Sequence, residues 1–134
     1  MITTKRKRNS GFTIIELMIV LVILAILLAL AYPSYIDYVR KGKRGDAQQI
    51  LLNWAVNQEI WRSNHPTYAG LADLPAAATD NYTFDFEVDP TATAYRLRAQ
   101  AQNDQVNDKA RNGTSCATLT LDQNGVKEPA ACWE

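Results

Sequence analysis

From Phe12 to Ala31 the chain is apolar at every position except Thr13 and Glu16. Twenty helical residues rise about 30 Å, the thickness of a bilayer's hydrocarbon core, so this run predicts a helix able to cross a membrane. Pro33 lacks a backbone N–H and removes one helical hydrogen bond, which is expected to bend or loosen the helix without ending it. Helical spacing then resumes. Ala47, Ile50, Leu51, Trp54 and Trp61 fall toward one face, with Asp46, Gln49, Asn53 and Asn57 among the polar positions between them. That stripe is expected to pack on the protein's own core. The helix should stop near Asn64, because Pro66 holds His65 extended and Thr67 to Gly70 has loop composition.

Beyond Gly70 the period changes from helical to alternating. Tyr82 to Val88 sets its aromatic residues on one face and its charges on the other, and Tyr95 to Ala99 repeats the alternation after the breaker Asp89-Pro90. These two segments are expected to pair antiparallel. Ala117 to Leu121 predicts a third strand, and Asp122-Gln123-Asn124-Gly125 a turn into Val126-Lys127. The expected fold class is α+β, a long helix packed against a small antiparallel sheet.

Charge adds an asymmetry that hydropathy does not show. The formal net charge is zero, yet four of the fourteen basic residues sit in Lys5 to Arg8, and all fourteen acidic residues lie beyond Gly11. A product starting at Phe12 keeps ten basic against fourteen acidic residues, a net charge of −4. That balance gives no general electrostatic reason to expect nucleic acid or anionic lipid as the main ligand. Basic residues do cluster locally, in Arg40-Lys41-Gly42-Lys43-Arg44, where lipid headgroups or DNA phosphates are both chemically suitable partners.

The two cysteines, Cys116 and Cys132, form one even pair, which fits a disulfide in an oxidising compartment; two buried thiols are the alternative. A disulfide would put the C-terminal part outside the reducing cytosol. The positive-inside rule does not decide orientation, since basic residues flank the apolar run on both sides. A cleavable secretory signal would explain Lys5 to Arg8 and the small residues at Ala29-Leu30-Ala31. Against it stand the length of the apolar run and Glu16, a poor component of such a segment.

Catalytic chemistry finds no convergent residues. His65 is the only histidine and has neither a cysteine nucleophile nor a serine partner in pattern. A tetrahedral zinc site needs about four ligands, so neither a metal nor a cofactor is expected. Asn81-Tyr82-Thr83 and Asn112-Gly113-Thr114 match the glycosylation sequon, a three-residue pattern that arises readily by chance.

The segment Gly11-Phe12-Thr13-Ile14-Ile15-Glu16-Leu17-Met18-Ile19-Val20, behind a basic leader, resembles the processing and assembly motif of the type IV pilin family. The similarity continues through Ala31-Tyr32-Pro33-Ser34-Tyr35 and Tyr38-Val39-Arg40-Lys41. Near the C-terminus, Cys116 to Lys127 followed by Cys132-Trp133 is similar to minor pilins of the PilE kind. The resemblance implies a type IV pilin fold, a non-enzymatic structural role and four segments: a leader at 1–11, a transmembrane and filament-core helix at 12–33, an amphipathic continuation at 34–64, and a globular antiparallel sheet region at 65–134 with a disulfide-bounded C-terminal loop. It implies cleavage by a prepilin peptidase between Gly11 and Phe12, methylation of the new Phe12 amine, and assembly through Glu16.

The implied partners are other pilin subunits, prepilin peptidase, the inner-membrane assembly machinery and, before assembly, the membrane itself. The implied location is the inner membrane, with a cytoplasmic leader and a periplasmic domain, and then a surface pilus serving adhesion, twitching or DNA uptake. A type II secretion pseudopilin would share the N-terminus, and a DNA-binding pilin of natural transformation would use Arg40, Lys41, Lys43 and Arg44. Many family members carry glycine where this chain has Ala25, and alanine is the better helix former by about 1 kcal/mol, so melting between Ala25 and Pro33 is less favoured here.

Each residue of the motif has a physical reason. Gly11 leaves the backbone unhindered for a peptidase. A free Phe12 amine is largely cationic near neutral pH. A carboxylate in an apolar helix is retained only where something compensates it, and the implied compensation for Glu16 is the Phe12 amine of a neighbouring subunit; snorkelling to the headgroups is the alternative. Glu16→Val is expected to leave membrane insertion and leader cleavage intact while blocking incorporation into fibres. Immunoblots of membrane and sheared-fibre fractions check this, and normal fibre incorporation would refute it.

Overall fold

The computed structural model describes residues 11–134, so the basic run Lys5 to Arg8 of the expected leader lies outside the described residues. The chain divides into two compact units, one ending at Ile36 and one running from Asp37 to Glu134. A single helix, α1 (Ile14–Arg62), contributes to both, and helical assignment is unbroken through Ala25 and Pro33. In the first unit every side chain from Phe12 to Tyr35 is exposed, as expected of a stretch whose solvent is not water.

In the second unit α1 buries Arg44, Ala47, Leu51, Trp54 and Gln58. The stripe expected from sequence is therefore kept at Ala47, Leu51 and Trp54 and then continues through a polar residue. Gln58 takes the next inward position, while Trp61 is only half-buried and stacks on His65 with ring centroids 3.8 Å apart. Gln58 is tolerated inside because both ends of its amide are used. Nε2 donates to the Ala69 carbonyl at 2.9 Å, and Oε1 accepts from the Ala69 N–H at 2.8 Å. The loop after the helix is pinned this way.

Four strands, β1 (Tyr82–Val88), β2 (Arg96–Ala101), β3 (Thr118–Asp122) and β4 (Lys127–Glu128), form one antiparallel sheet in that order. Register sets Phe86, Leu97 and Leu121 in one row and Phe84, Ala99 and Leu119 in the next, so the inner face is apolar across three strands. The opposite face carries Asp85 beside Arg98, joined by a two-pronged ion pair of 2.8 and 2.6 Å. β1 matches its expected span, β2 and β3 begin one residue later than the alternation predicts, α1 ends two residues before Asn64, and the short β4 follows the expected turn as a strand that the alternation does not predict.

Leu51, Leu97, Ala99, Leu119 and both cysteines are fully buried in one cluster with Ala47, Trp54, Tyr82 and Tyr95. Trp54 meets Phe86 at 4.8 Å between centroids and donates its indole N–H to the Leu74 carbonyl at 3.2 Å, so its polar edge is satisfied. The Cys116–Cys132 disulfide closes a loop of sixteen-residue separation, worth roughly 3 kcal/mol on loop entropy. Gln48 on α1 donates to the Cys132 carbonyl, which ties that loop to the helix. The turn after β3 matches the sequence expectation: Asp122 Oδ1 accepts the Asn124 and Val126 N–H groups, and Gly125 takes a φ of +77° that suits glycine.

Leu51 is the most buried apolar residue of α1, at 0% exposure. Leu51→Ala is expected to destabilise the second unit by about 2 to 5 kcal/mol through lost burial and a residual cavity. Urea titration of the full chain in detergent, followed by near-ultraviolet circular dichroism, measures the shift.

Candidate functional site

Two regions carry the expected functional residues. At the first, Gly11, Phe12 and Thr13 precede α1, and the Thr13 hydroxyl accepts the Glu16 N–H at 3.3 Å. Thr13-Ile14-Ile15-Glu16 therefore also reads as a helix start, with a capping hydroxyl and an acidic third residue near the positive end of the helix dipole. That signal was present in the sequence beside the assembly motif. The apolar window that follows has a mean hydropathy of 3.2, with none of it buried, as suits a membrane-spanning helix by length and composition.

The second region is the basic cluster, which the fold splits in two. Arg40 grips Asp104 through Nε and Nη2 at 3.0 and 2.8 Å and reaches Asp37 at 3.2 Å. Arg44, one helical turn on, donates from Nη1 to Asp108 at 3.0 Å, with both side chains buried. Lys41 and Lys43 have no ion pair among the described residues. The acidic partners sit on the segment between β2 and β3, at the ends of a 3-10 turn, Asn103–Asn107. Asp104 and Asp108 are spaced by four residues, as are Arg40 and Arg44. That matched spacing was the one available sequence signal for a pairing 64 residues apart.

Between the two ion pairs, Gln105 is fully buried; its Nε2 donates to the Arg40 carbonyl at 2.9 Å and to the Tyr82 hydroxyl at 3.0 Å. Burial pushes the Tyr82 hydroxyl up to about 12, so it stays protonated throughout the neutral range. Burial also raises the Asp108 carboxyl, against the pull of Arg44. At the exposed pair the hydrogen bond from Arg40 lowers Asp104 instead. The same ion-pair chemistry thus moves two aspartates in opposite directions, because one has lost its water and the other has not.

Lys41 and Arg44 line a cavity of about 310 Å³ with Ala110, Arg111, Asn112 and Glu134. Arg111 likewise has no ion pair among the described residues, so Lys41 and Arg111 are the two unpaired cations of this wall. His65 lies at the end of α1, with its Nδ1 3.0 Å from the Trp61 carbonyl. Among the described residues no group of acidic, histidine or cysteine side chains is arranged to hold a metal.

Residues 6–32 match the family described as the prokaryotic N-terminal methylation motif, and residues 33–120 match that described as type IV minor pilin ComP, DNA uptake sequence receptor. Type IV major pilin protein PilE1 of Neisseria gonorrhoeae is 30% identical over 106 residues, covering 74% of this chain and 64% of that protein. A second PilE1 sequence from the same organism is 29% identical over 106 residues and is covered to 58%. The chain thus spans less than two thirds of the length of these curated relatives. Among solved structures, a type IV pilin from Shewanella oneidensis is 33% identical with a TM-score of 0.55, covering 71% of this chain and 98% of that one.

The two ion pairs predict different mutational outcomes. Asp108→Asn leaves Arg44 buried without its counter-charge and is expected to cost about 3 to 5 kcal/mol in urea titration. Asp104→Asn acts mainly through pH. The lowered Asp104 contributes stability above its unfolded value near 3.9, and that contribution is lost as pH falls through its lower folded value. Its variant is therefore expected to show a shallower loss of stability on acidification below about pH 4, whereas Asp108, being raised, works in the opposite sense.

Proposed function

The chain belongs to the type IV pilin family, and from that premise we propose that it is a minor pilin, processed after Gly11 and built into a surface filament through α1. The observation that carries the reading is the joining of two matched parts by one helix. The methylation motif at 6–32 runs directly into the minor-pilin region at 33–120, and α1 spans the join without a break. A membrane-spanning assembly helix and a folded head are thereby one covalent object. Assembly with other subunits needs van der Waals packing and matched polar groups along that helix, because lipid is as apolar as the helices themselves.

In this reading the precursor sits in the inner membrane with its leader toward the cytoplasm. Prepilin peptidase cuts before Phe12, and Glu16 sets register against the amine of a neighbour. Pro33 supplies a local weak point in the backbone ladder. The chain acts as a structural subunit and not as an enzyme. The pilin relatives favour this over the type II secretion pseudopilin.

A contact with DNA is favoured by a specific observation. The minor-pilin family that residues 33–120 match is described as a DNA uptake sequence receptor, and the wall formed by Lys41 and Arg111 holds two unpaired cations. Arg40 and Arg44 are committed to Asp104 and Asp108, so we assign phosphate contact to Lys41 and Arg111 instead.

Immunogold labelling of sheared fibres, with and without the gene, tests the assembly reading. Sparse label along fibres is expected, and absence of the chain from fibres overturns it. For DNA, the full chain in detergent is titrated with duplex at several salt concentrations. Lys41→Gln with Arg111→Gln is expected to lower the slope of log affinity against log salt by about 2, and an unchanged slope rejects the assignment.

A further inference from the structure

Arg44 is a buried cation whose hydrogen bonds are mostly unspent. Arg40, one helical turn earlier, uses Nε, Nη1 and Nη2 on two aspartates. Arg44, with its side chain 6% exposed, gives Nη1 to Asp108, while its Nε and Nη2 donate to no acceptor among the described residues. A guanidinium carries N–H groups on all three nitrogens, so this is a large unused capacity. Those groups are not sealed in. Among the described residues the one buried side-chain polar atom without a partner is Gln105 Oε1, which leaves the free edge of Arg44 open to the cavity that it lines.

The rest of that cavity, about 310 Å³ in volume, repeats the pattern. Lys41 and Arg111 have no ion pair among the described residues and can only donate. The Asn112 amide is oriented by Thr114, whose backbone N–H donates to Oδ1 at 3.0 Å and so leaves Nδ2 as the free end. Asn112 sits on a tight turn. The Gly113 N–H donates to the Ala110 carbonyl and the Ala110 N–H to the Thr114 carbonyl, both at 2.9 Å, so the turn brings Arg111 and Asn112 to the cavity wall while α1 brings Lys41 and Arg44.

We propose that this cavity binds a phosphate group, as free phosphate or as a monoester, with buried Arg44 at its floor and exposed Lys41, Arg111 and Asn112 at its mouth. Donors alone match a ligand whose oxygens only accept. Three cations outweigh Glu134 at the rim and the Asp108 carboxylate behind Arg44, so the site favours an anion. The three terminal oxygens of a monoester can meet guanidinium, amine and amide together, which a planar carboxylate cannot.

The volume lies at the small end of ligand pockets, and only a group that enters can reach a side chain this buried; a phosphate within a duplex backbone stays at the mouth. The site shares Lys41 and Arg111 with the duplex contact proposed above but does not depend on it, because Arg44 and Asn112 take no part there.

Isothermal titration calorimetry on the full chain in non-ionic detergent tests the site, at constant ionic strength set by chloride. The probes are inorganic phosphate, glycerol phosphate, a nucleoside monophosphate and dimethyl phosphate. One phosphate is expected to bind per chain with a Kd tighter than about 1 mM, and the diester at least about tenfold more weakly. Tightest binding of glycerol phosphate points to a lipid headgroup as the source, of the nucleoside monophosphate to a nucleotide, and equal affinities to free phosphate. Asn112→Asp keeps an acceptor for the Thr114 N–H, and hence the turn, while setting a carboxylate among the donors. It is expected to weaken binding at least about tenfold. Arg44→Lys keeps a charge for Asp108 but removes Nε and Nη2, and the same loss is expected, with near-ultraviolet circular dichroism reporting its fold; if it does not fold, Asn112→Asp decides. No saturation by any phosphate probe in that range, equal binding of the diester, or equal binding by the parent and Asn112→Asp overturns the proposal. The duplex titration is read separately, so its outcome stands or falls by itself.

Discussion

The sheet has one apolar face, and α1 is what covers it. Phe84, Phe86, Leu97, Ala99, Leu119 and Leu121 come from three strands, and without a cover their apolar face would be left in water. Ala47, Leu51 and Trp54 supply the complementary surface, and the whole second unit is organised around that contact. The helix cannot then be tuned freely for anything else. Its inner face must match the sheet and the loops it fastens, and its first half carries the apolar run that has the length and composition of a membrane span.

The polar interactions are arranged so that this burial can be completed at its edges. The segment between β2 and β3 has few large apolar side chains, and it is fastened to α1 by Arg40–Asp104, Arg44–Asp108 and Gln105. Gln58 does the same for the loop after the helix, and Gln48 with the disulfide does so for the C-terminal loop. Arg40, Arg44, Gln48 and Gln58 reach out from α1 to a carboxylate or backbone carbonyl beyond the helix, and Gln105 works the other way, donating from the β2–β3 segment to the Arg40 carbonyl. A small core is thereby extended by fixed loops, at the cost of burying groups whose partners cannot be removed singly.

Function follows from what that fastening leaves over. The four cations clustered from Arg40 to Arg44 look alike in sequence, yet two are structural ties and two have no ion pair among the described residues, and of these Lys41 lines the same cavity as Arg111.

Sequence by itself determined the membrane-length run, the N-terminal methylation motif that residues 6–32 match, the helix-then-strands order, and the Asp122 to Gly125 turn. These are local properties, written in hydrophobic period, in residue spacing or in backbone preference, and they need no distant partner to be read. Tertiary structure decided which cations were spent, since Asp104 and Asp108 lie 64 residues from their arginines. It also decided that Gln58 and not Trp61 completes the buried stripe, because an amide with both ends bonded to Ala69 sits inward without penalty while Trp61 finds a stacking partner in His65. Periodicity reports which side of a helix is apolar. It cannot report which polar groups will find partners, because that depends on where the rest of the chain returns.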